Sequence, residues 1–236
     1  FDSACEALEL GSVDMAVVDM AQLIRMEKND ENLPYGVVIS GVLKRGDSRY
    51  VMIRKRHAKD LIENAVVATD SYSKTERIKH MYDGISCVVE TDIRKCIEKL
   101  DASECDAVFV LLEDIKAARL HNSFLYRYTI MDYGECVPVH GEGVYAMLTK
   151  GKKEAVRTAR ELSHKSTAEC FEIEDDIISR VMQNVYVKTC DVYARISSDR
   201  LEIYADVTGN RGRIRVNERG TFVNKNLIIT KIVDRI

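Results

Sequence analysis

The apolar positions near the start of the chain fall at helical spacing. Ala4, Ala7, Leu8 and Leu10 lie mostly on one face, and Gly11 ends the helix predicted over Asp2 to Leu10. Val13 to Val18, an apolar run around Asp14, reads as a buried strand. The polar stretch Arg25 to Asn32 reads as a loop. Val37 to Leu43 is a second strand, Lys44 to Arg49 a charged turn, and Val51 to Ile53 further extended chain. A regular alternation follows. Strands at Ala65 to Ala68, Ser86 to Val89 and Asp106 to Leu112 each precede a helix, over Ser71 to Met81, Thr91 to Leu100 and Glu113 to Arg119. Strands alternating with helices predict βαβ units and a mostly parallel sheet.

One more strand, Val144 to Leu148, follows the Gly141-Glu142-Gly143 turn. After Gly151 the pattern changes. Helices over Lys153 to Leu162 and Thr167 to Met182 precede strands over Val185 to Ile196, Leu201 to Val207 and Arg213 to Val216. Turns at Ser197 to Asp199 and Gly209 to Gly212 separate those strands, and Asn224 to Ile236 has the spacing of a closing helix. This part predicts a small α+β unit with an antiparallel sheet.

Composition narrows the function classes. Among 236 residues, 35 Lys and Arg against 38 Asp and Glu leave a formal charge of −3, without the basic excess of a dedicated nucleic-acid binder. With 46% hydrophobic residues there is ample matter for a core, and no apolar run approaches the roughly 18 residues of a spanning helix. No membrane or nucleic-acid partner is therefore expected. The 7 cysteines are scattered, without C-x-x-C or metal spacing, which suits reduced thiols in a cytoplasmic or other reducing soluble compartment.

Read singly, the chemical signals are weak. Val139-His140-Gly141-Glu142-Gly143 reads first as a tight turn into a strand. The acidic run Glu172, Glu174, Asp175, Asp176 reads as a solvated helix face, and Lys55-Arg56-His57 as surface. The histidines have no companion at catalytic spacing, and no metal site is expected.

Taken in order, several segments resemble the porphobilinogen deaminase (hydroxymethylbilane synthase) family. Ser12 to Met20 is similar to the family's "VDIAVHSMKD" strand and loop. Leu33-Pro34-Tyr35-Gly36 with Leu43 to Asp47 resembles its "LPxG…RxD" stretch, and Ala65 to Ser71 resembles "VVGTSS". Leu100-Asp101 with Cys105-Asp106-Ala107, and Pro138 to Gly143, resemble two further family motifs. The resemblance implies an α/β fold of three domains. Two periplasmic-binding-protein-like α/β lobes take residues 1–43 with 137–150 and residues 44–136, and a C-terminal α+β domain takes residues 151–236. It also implies that the strand at Val144 to Leu148 returns to the first lobe. The family's opening strand–helix–strand has no counterpart before Phe1, so the first lobe is expected to be incomplete at its N-terminus, or completed by a separate chain.

The family enzyme condenses porphobilinogen onto a dipyrromethane cofactor, releasing ammonia, and its carboxylate-bearing substrate calls for a cluster of cations. At the matching positions this chain departs from the pattern. The family's lysine and aspartate fall on Ala21 and Gln22. The substrate- and cofactor-binding positions fall on Thr69, Asp70, Ser71, Ser73, Lys74, Glu90, Cys96 and Ser123, of which only Lys74 is cationic. The local balance moves by about seven charges against an acidic ligand, where even one unpaired buried charge costs several kcal/mol. The cofactor-bearing cysteine falls on Tyr186, and Cys190, four residues on, lies about 13 Å away along a strand. Two functions follow. The leading expectation is a non-catalytic member without cofactor that binds another small molecule or a protein partner. The alternative is a divergent active synthase that carries dipyrromethane on Cys190 and uses Lys74, Arg77 and Arg94 as its cations. The Thr69 to Ser73 segment is expected to start a helix, capped by Asp70 or Ser71.

Overall fold

The computed structural model describes residues 2–29, 31–58 and 63–236. Phe1, the expected start of the first lobe, and Asp30, within the predicted loop, lie outside the described residues. In chain order the elements are α1 (Asp2–Glu9), β1 (Met15–Asp19), α2 (Met20–Lys28), β2 (Val37–Val42), β3 (Tyr50–Lys55), β4 (Val66–Thr69), α3 (Tyr72–Met81), β5 (Ser86–Val89), α4 (Ile93–Asp101), β6 (Ala107–Leu111), α5 (Leu112–Ala117), β7 (Tyr126–Ile130), β8 (Tyr145–Lys150), α6 (Lys153–Leu162), α7 (Lys165–Val181), β9 (Val187–Ser197), β10 (Arg200–Gly209), β11 (Gly212–Thr221) and α8 (Lys225–Val233). They form two compact units, one of residues 1–46 with 139–236 and one of residues 47–138.

In the first unit β8 lies between β1 and β2, antiparallel to both. Val18, Val42, Ala146 and Leu148 share one face of this sheet and pack with Cys5 and Leu8 of α1. The same unit holds the antiparallel sheet β11-β10-β9. Leu201, Ile203, Val192 and Ala194 bury themselves there beneath Ile173 and Ile177 of α7 and Ile228 and Ile232 of α8.

The second unit is a five-stranded sheet in the order β5-β4-β6-β3-β7. Every residue of β6 is buried, as a strand covered on both faces requires. Cys96, Ile97 and Leu100 of α4 pack on one side, and Tyr50 stacks on Phe109 at 4.7 Å within the core on the other.

The structure revises three expectations. The sheets are mixed or antiparallel rather than mostly parallel. Only β4 pairs in parallel, with β5 and β6, while β3 runs antiparallel to β6 and β7. Helical crossovers, α3 and α4, join β4, β5 and β6 and enforce parallel pairing between them. The predicted loop at 25–32 is helix as far as Lys28. Asp19 caps α2 by accepting from the Gln22 amide at 3.0 Å, Met20, Ala21 and Leu23 face inward, and the polar residues are simply its outer side. Strand β7, with Tyr126 and Tyr128 on its inner side, is an element the sequence reading did not name, although Tyr-Arg-Tyr-Thr-Ile has the alternation of a half-buried strand.

Gly41, at the β2 bulge, lies so close to α6 that a Cβ would sit 2.7 Å from the Ala159 carbonyl oxygen. Gly41→Ala is expected to lower unfolding stability by about 1–3 kcal/mol, read from urea denaturation midpoints.

Candidate functional site

At the β4–α3 junction the sequence brings strand-formers straight into a helix start. Ser71 is the N-cap residue, in extended conformation, but its side chain makes no cap bond, and its hydroxyl instead meets that of Ser73 at 3.0 Å. Asp70 does not cap either. Both its carboxylate oxygens accept from Lys74 Nζ, at 2.6 and 2.8 Å. The expected self-capping is therefore replaced by an ion pair one helical turn long, in which the Lys74 side chain is 4% exposed and that of Asp70 18%. A nearly buried ammonium demands a charge partner more strongly than a helix end demands a cap.

The junction gathers most of the family positions of this unit. The Glu90 amide bonds to the Thr69 carbonyl at 2.8 Å, and the Glu90 carbonyl accepts from Cys96 Sγ at 3.2 Å. Burial, reinforced by the charges of Asp70 and Glu90, pushes the Cys96 thiol up to about 12, so it stays protonated. Ser123 is apart from this group, in the loop before β7 at the opposite sheet edge from β5, where its hydroxyl accepts from the Leu125 amide at 3.2 Å.

In the first unit, Ala21 and Gln22 occupy the first turn of α2. Ala21 is buried, and Gly141, at φ +85°, lies so close that a Cβ there would stand 3.0 Å from the Ala21 nitrogen. Gln22 is half-buried. Tyr186 precedes β9, 54% exposed, with the Arg211 guanidinium 5.5 Å from its ring centre. Cys190 is an interior residue of β9 opposite Val207, 5% exposed among Ile177, Val192 and Val207. Burial pushes its thiol up to about 12, with the Asp191 charge adding to the effect. An attachment cysteine needs an accessible thiolate, and this geometry offers neither property.

The same unit holds a charged cluster where sequence reading placed only surface. Glu174 is not on a solvated face, because its side chain is 1% exposed. Its oxygens accept from Arg45 Nη1 at 2.6 Å and Nη2 at 2.8 Å, and one of them also accepts from the Ala194 amide at 2.7 Å. Arg45 donates further to the Ala194 carbonyl at 3.2 Å and lies 5.0 Å from the Tyr193 ring centre. His140 stacks on Phe171 at 4.7 Å, with Nδ1 3.4 Å from Glu174 and Nε2 2.9 Å from Asp175. Its amide donates to Asp191 at 3.1 Å. Periodicity could have found Glu174, since it shares the inward stripe of α7 with Cys170, Ile173, Ile177 and Val181. Burial opposes ionisation of Glu174, but Arg45 outweighs it and holds the carboxyl below the ordinary range. Burial likewise pushes His140 down, but Asp175 and Glu174 prevail and raise it. Among the described residues no group of His, Cys, Asp and Glu is arranged to hold a metal ion, and no helix is long and apolar enough to cross a membrane.

Glu174→Gln leaves the Arg45 charge buried without its counter-ion, and is expected to cost about 3–5 kcal/mol in urea unfolding. Joint replacement, Arg45→Met with Glu174→Leu, should recover most of that loss. His140, raised in the folded state, contributes stability that is complete below its unfolded value of about 6.5 and is lost as the pH climbs through its higher folded value. The stability gap between the parent and His140→Gln should therefore be larger at pH 6 than at pH 9. An equal gap at both would show that folding does not raise the proton affinity of His140, and a smaller gap at pH 6 that the ring stays neutral.

The family model described as "Porphobilinogen deaminase, dipyromethane cofactor binding domain" matches residues 3–158. The porphobilinogen deaminase of Clostridium acetobutylicum is 22% identical over 218 residues, 86% of this chain and 74% of that one. That of Chlorobium luteolum is 24% identical over 192 residues, 80% of this chain and 60% of that one, so the chain spans less than two-thirds of this relative. The periplasmic VFT2 domain of Bordetella pertussis BvgS superposes with a TM-score of 0.46 at 17% identity, over 71% of this chain and 68% of that one, a likeness too loose to carry an argument. The family match covers more than half of the sequence and runs through the β4–α3 junction and the turn at His140, and the chain belongs to the porphobilinogen deaminase family.

Proposed function

We propose that this chain is a non-catalytic member of the family, keeping its scaffold for binding rather than for the condensation of porphobilinogen in tetrapyrrole synthesis. The observation that carries the reading is the Asp70–Lys74 ion pair. Lys74 is the one cation left at the positions the resemblance assigns to the substrate, and its ammonium already donates to both oxygens of an internal carboxylate, that of Asp70. An acidic pyrrole would have to displace Asp70, with Glu90 adding repulsion.

Two further features support it. Gln22 stands where the family has the aspartate that stabilises positive charge developing on pyrrole nitrogens. An uncharged amide can hydrogen-bond there but does not supply that field. For the cofactor, Tyr186 offers no thiol, and Cys190, the fallback, is buried and protonated. The residues present thus do not fit covalent attachment of dipyrromethane.

Incubation with porphobilinogen is expected to give uroporphyrin at the rate of a protein-free control, and the intact mass is expected to equal that of the polypeptide alone. Turnover above the control, or added mass corresponding to a bound dipyrrole that disappears in Cys190→Ser, would establish the divergent active synthase instead.

A further inference from the structure

The first unit contains a cavity of about 490 Å³ between α2, residues 31–33, β2 and α7. This lies within the range of about 300–1,000 Å³ that small-molecule sites occupy. No element of the reading above uses it. Its walls include Ile24 of α2, Ile39 of β2 and Phe171 of α7, and its polar lining includes Glu27, Glu31 and Asp175. Among the described residues no lysine or arginine lines it. The composition is therefore asymmetric, with an apolar body and, among the described residues, carboxylates as its charged groups.

The carboxylates are held by backbone structure rather than by one another. Glu27 lies in the last turn of α2, where the carbonyl end of the helix also favours a cation. The Glu31 amide bonds back to the Met26 carbonyl at 2.9 Å, which fixes this residue against the helix end. Asp175 is already shared with His140 at 2.9 Å, and His140 stacks on the lining residue Phe171. The charge left over for a ligand therefore resides chiefly on Glu27 and Glu31, both solvent-exposed.

We propose that this cavity binds an organic cation with an apolar body, a primary or secondary ammonium on an alkyl or aryl skeleton. The body lies along Ile24, Ile39 and Phe171, and the ammonium meets Glu27 and Glu31. An anion is repelled by Glu27 and Glu31, and a neutral analogue loses the charge term. The site does not depend on whether the chain turns over porphobilinogen.

Calorimetry on the full chain at neutral pH with 2-phenylethylammonium, 2-phenylethanol and 3-phenylpropanoate tests this. The ammonium should bind saturably, roughly fivefold tighter than the alcohol, as expected for one to two solvent-screened charge contacts, and the carboxylate should not bind. The double variant Glu27→Gln, Glu31→Gln should bind ammonium and alcohol alike. Ile39→Trp, at a half-exposed wall position, should abolish binding of both while its circular dichroism and unfolding midpoint match the parent. The proposal is overturned by equal affinities in the parent, by an ammonium preference that survives the double variant, by binding that survives Ile39→Trp, or by no saturable ammonium binding up to about 10 mM.

Discussion

The buried pair of Arg45 and Glu174 is the constraint around which the first unit is arranged. A carboxylate and a guanidinium cannot leave water without full compensation, and each here receives it from several directions. Glu174 takes two bonds from Arg45 and one from the Ala194 amide, and Arg45 reaches the Ala194 carbonyl and the face of Tyr193. The pair thereby fixes four pieces of chain relative to one another: the segment after β2, the turn at His140, helix α7 and strand β9. Removing either charge would leave the other stranded in a low-dielectric interior, so the arrangement tolerates change only in both partners together.

The same rule governs the β4–α3 junction in the second unit. There the nearly buried Lys74 ammonium draws the Asp70 carboxylate to itself rather than to the amides of the helix end. Cys96 beneath it is held as a neutral thiol by burial and by the neighbouring negative charges. The scaffold of the family persists here because strands such as β6 and helices such as α4 depend on apolar burial.

Much of the fold was legible in the chain. β5 and α6 lie where their patterns predicted them: β5 is a short β-branched run after a glycine turn, and α6 is strongly amphipathic at helical period. Helix α2 was not, since its outer face is polar enough to read as loop, and its defining event is a cap made by Asp19. Strand β7 lies at a sheet edge, and its alternation, Tyr126-Arg127-Tyr128-Thr129-Ile130, is too short a run to stand out among the turns around it.

The sequence by itself determined the apolar periods, the family motifs and the chemical identity of the site positions: a glutamine at 22, a tyrosine at 186, an aspartate at 70. These are local properties, readable one residue at a time. Tertiary structure decided which charges meet. Arg45 lies 129 positions from Glu174, and His140 lies 35 from Asp175, so no spacing rule links them. Only the packing of α7 against β9 turned one acidic residue of a run inward and left its neighbours in water. The physical reason is that ionic pairing depends on burial and on contact across the chain, and both are fixed only once the core has closed.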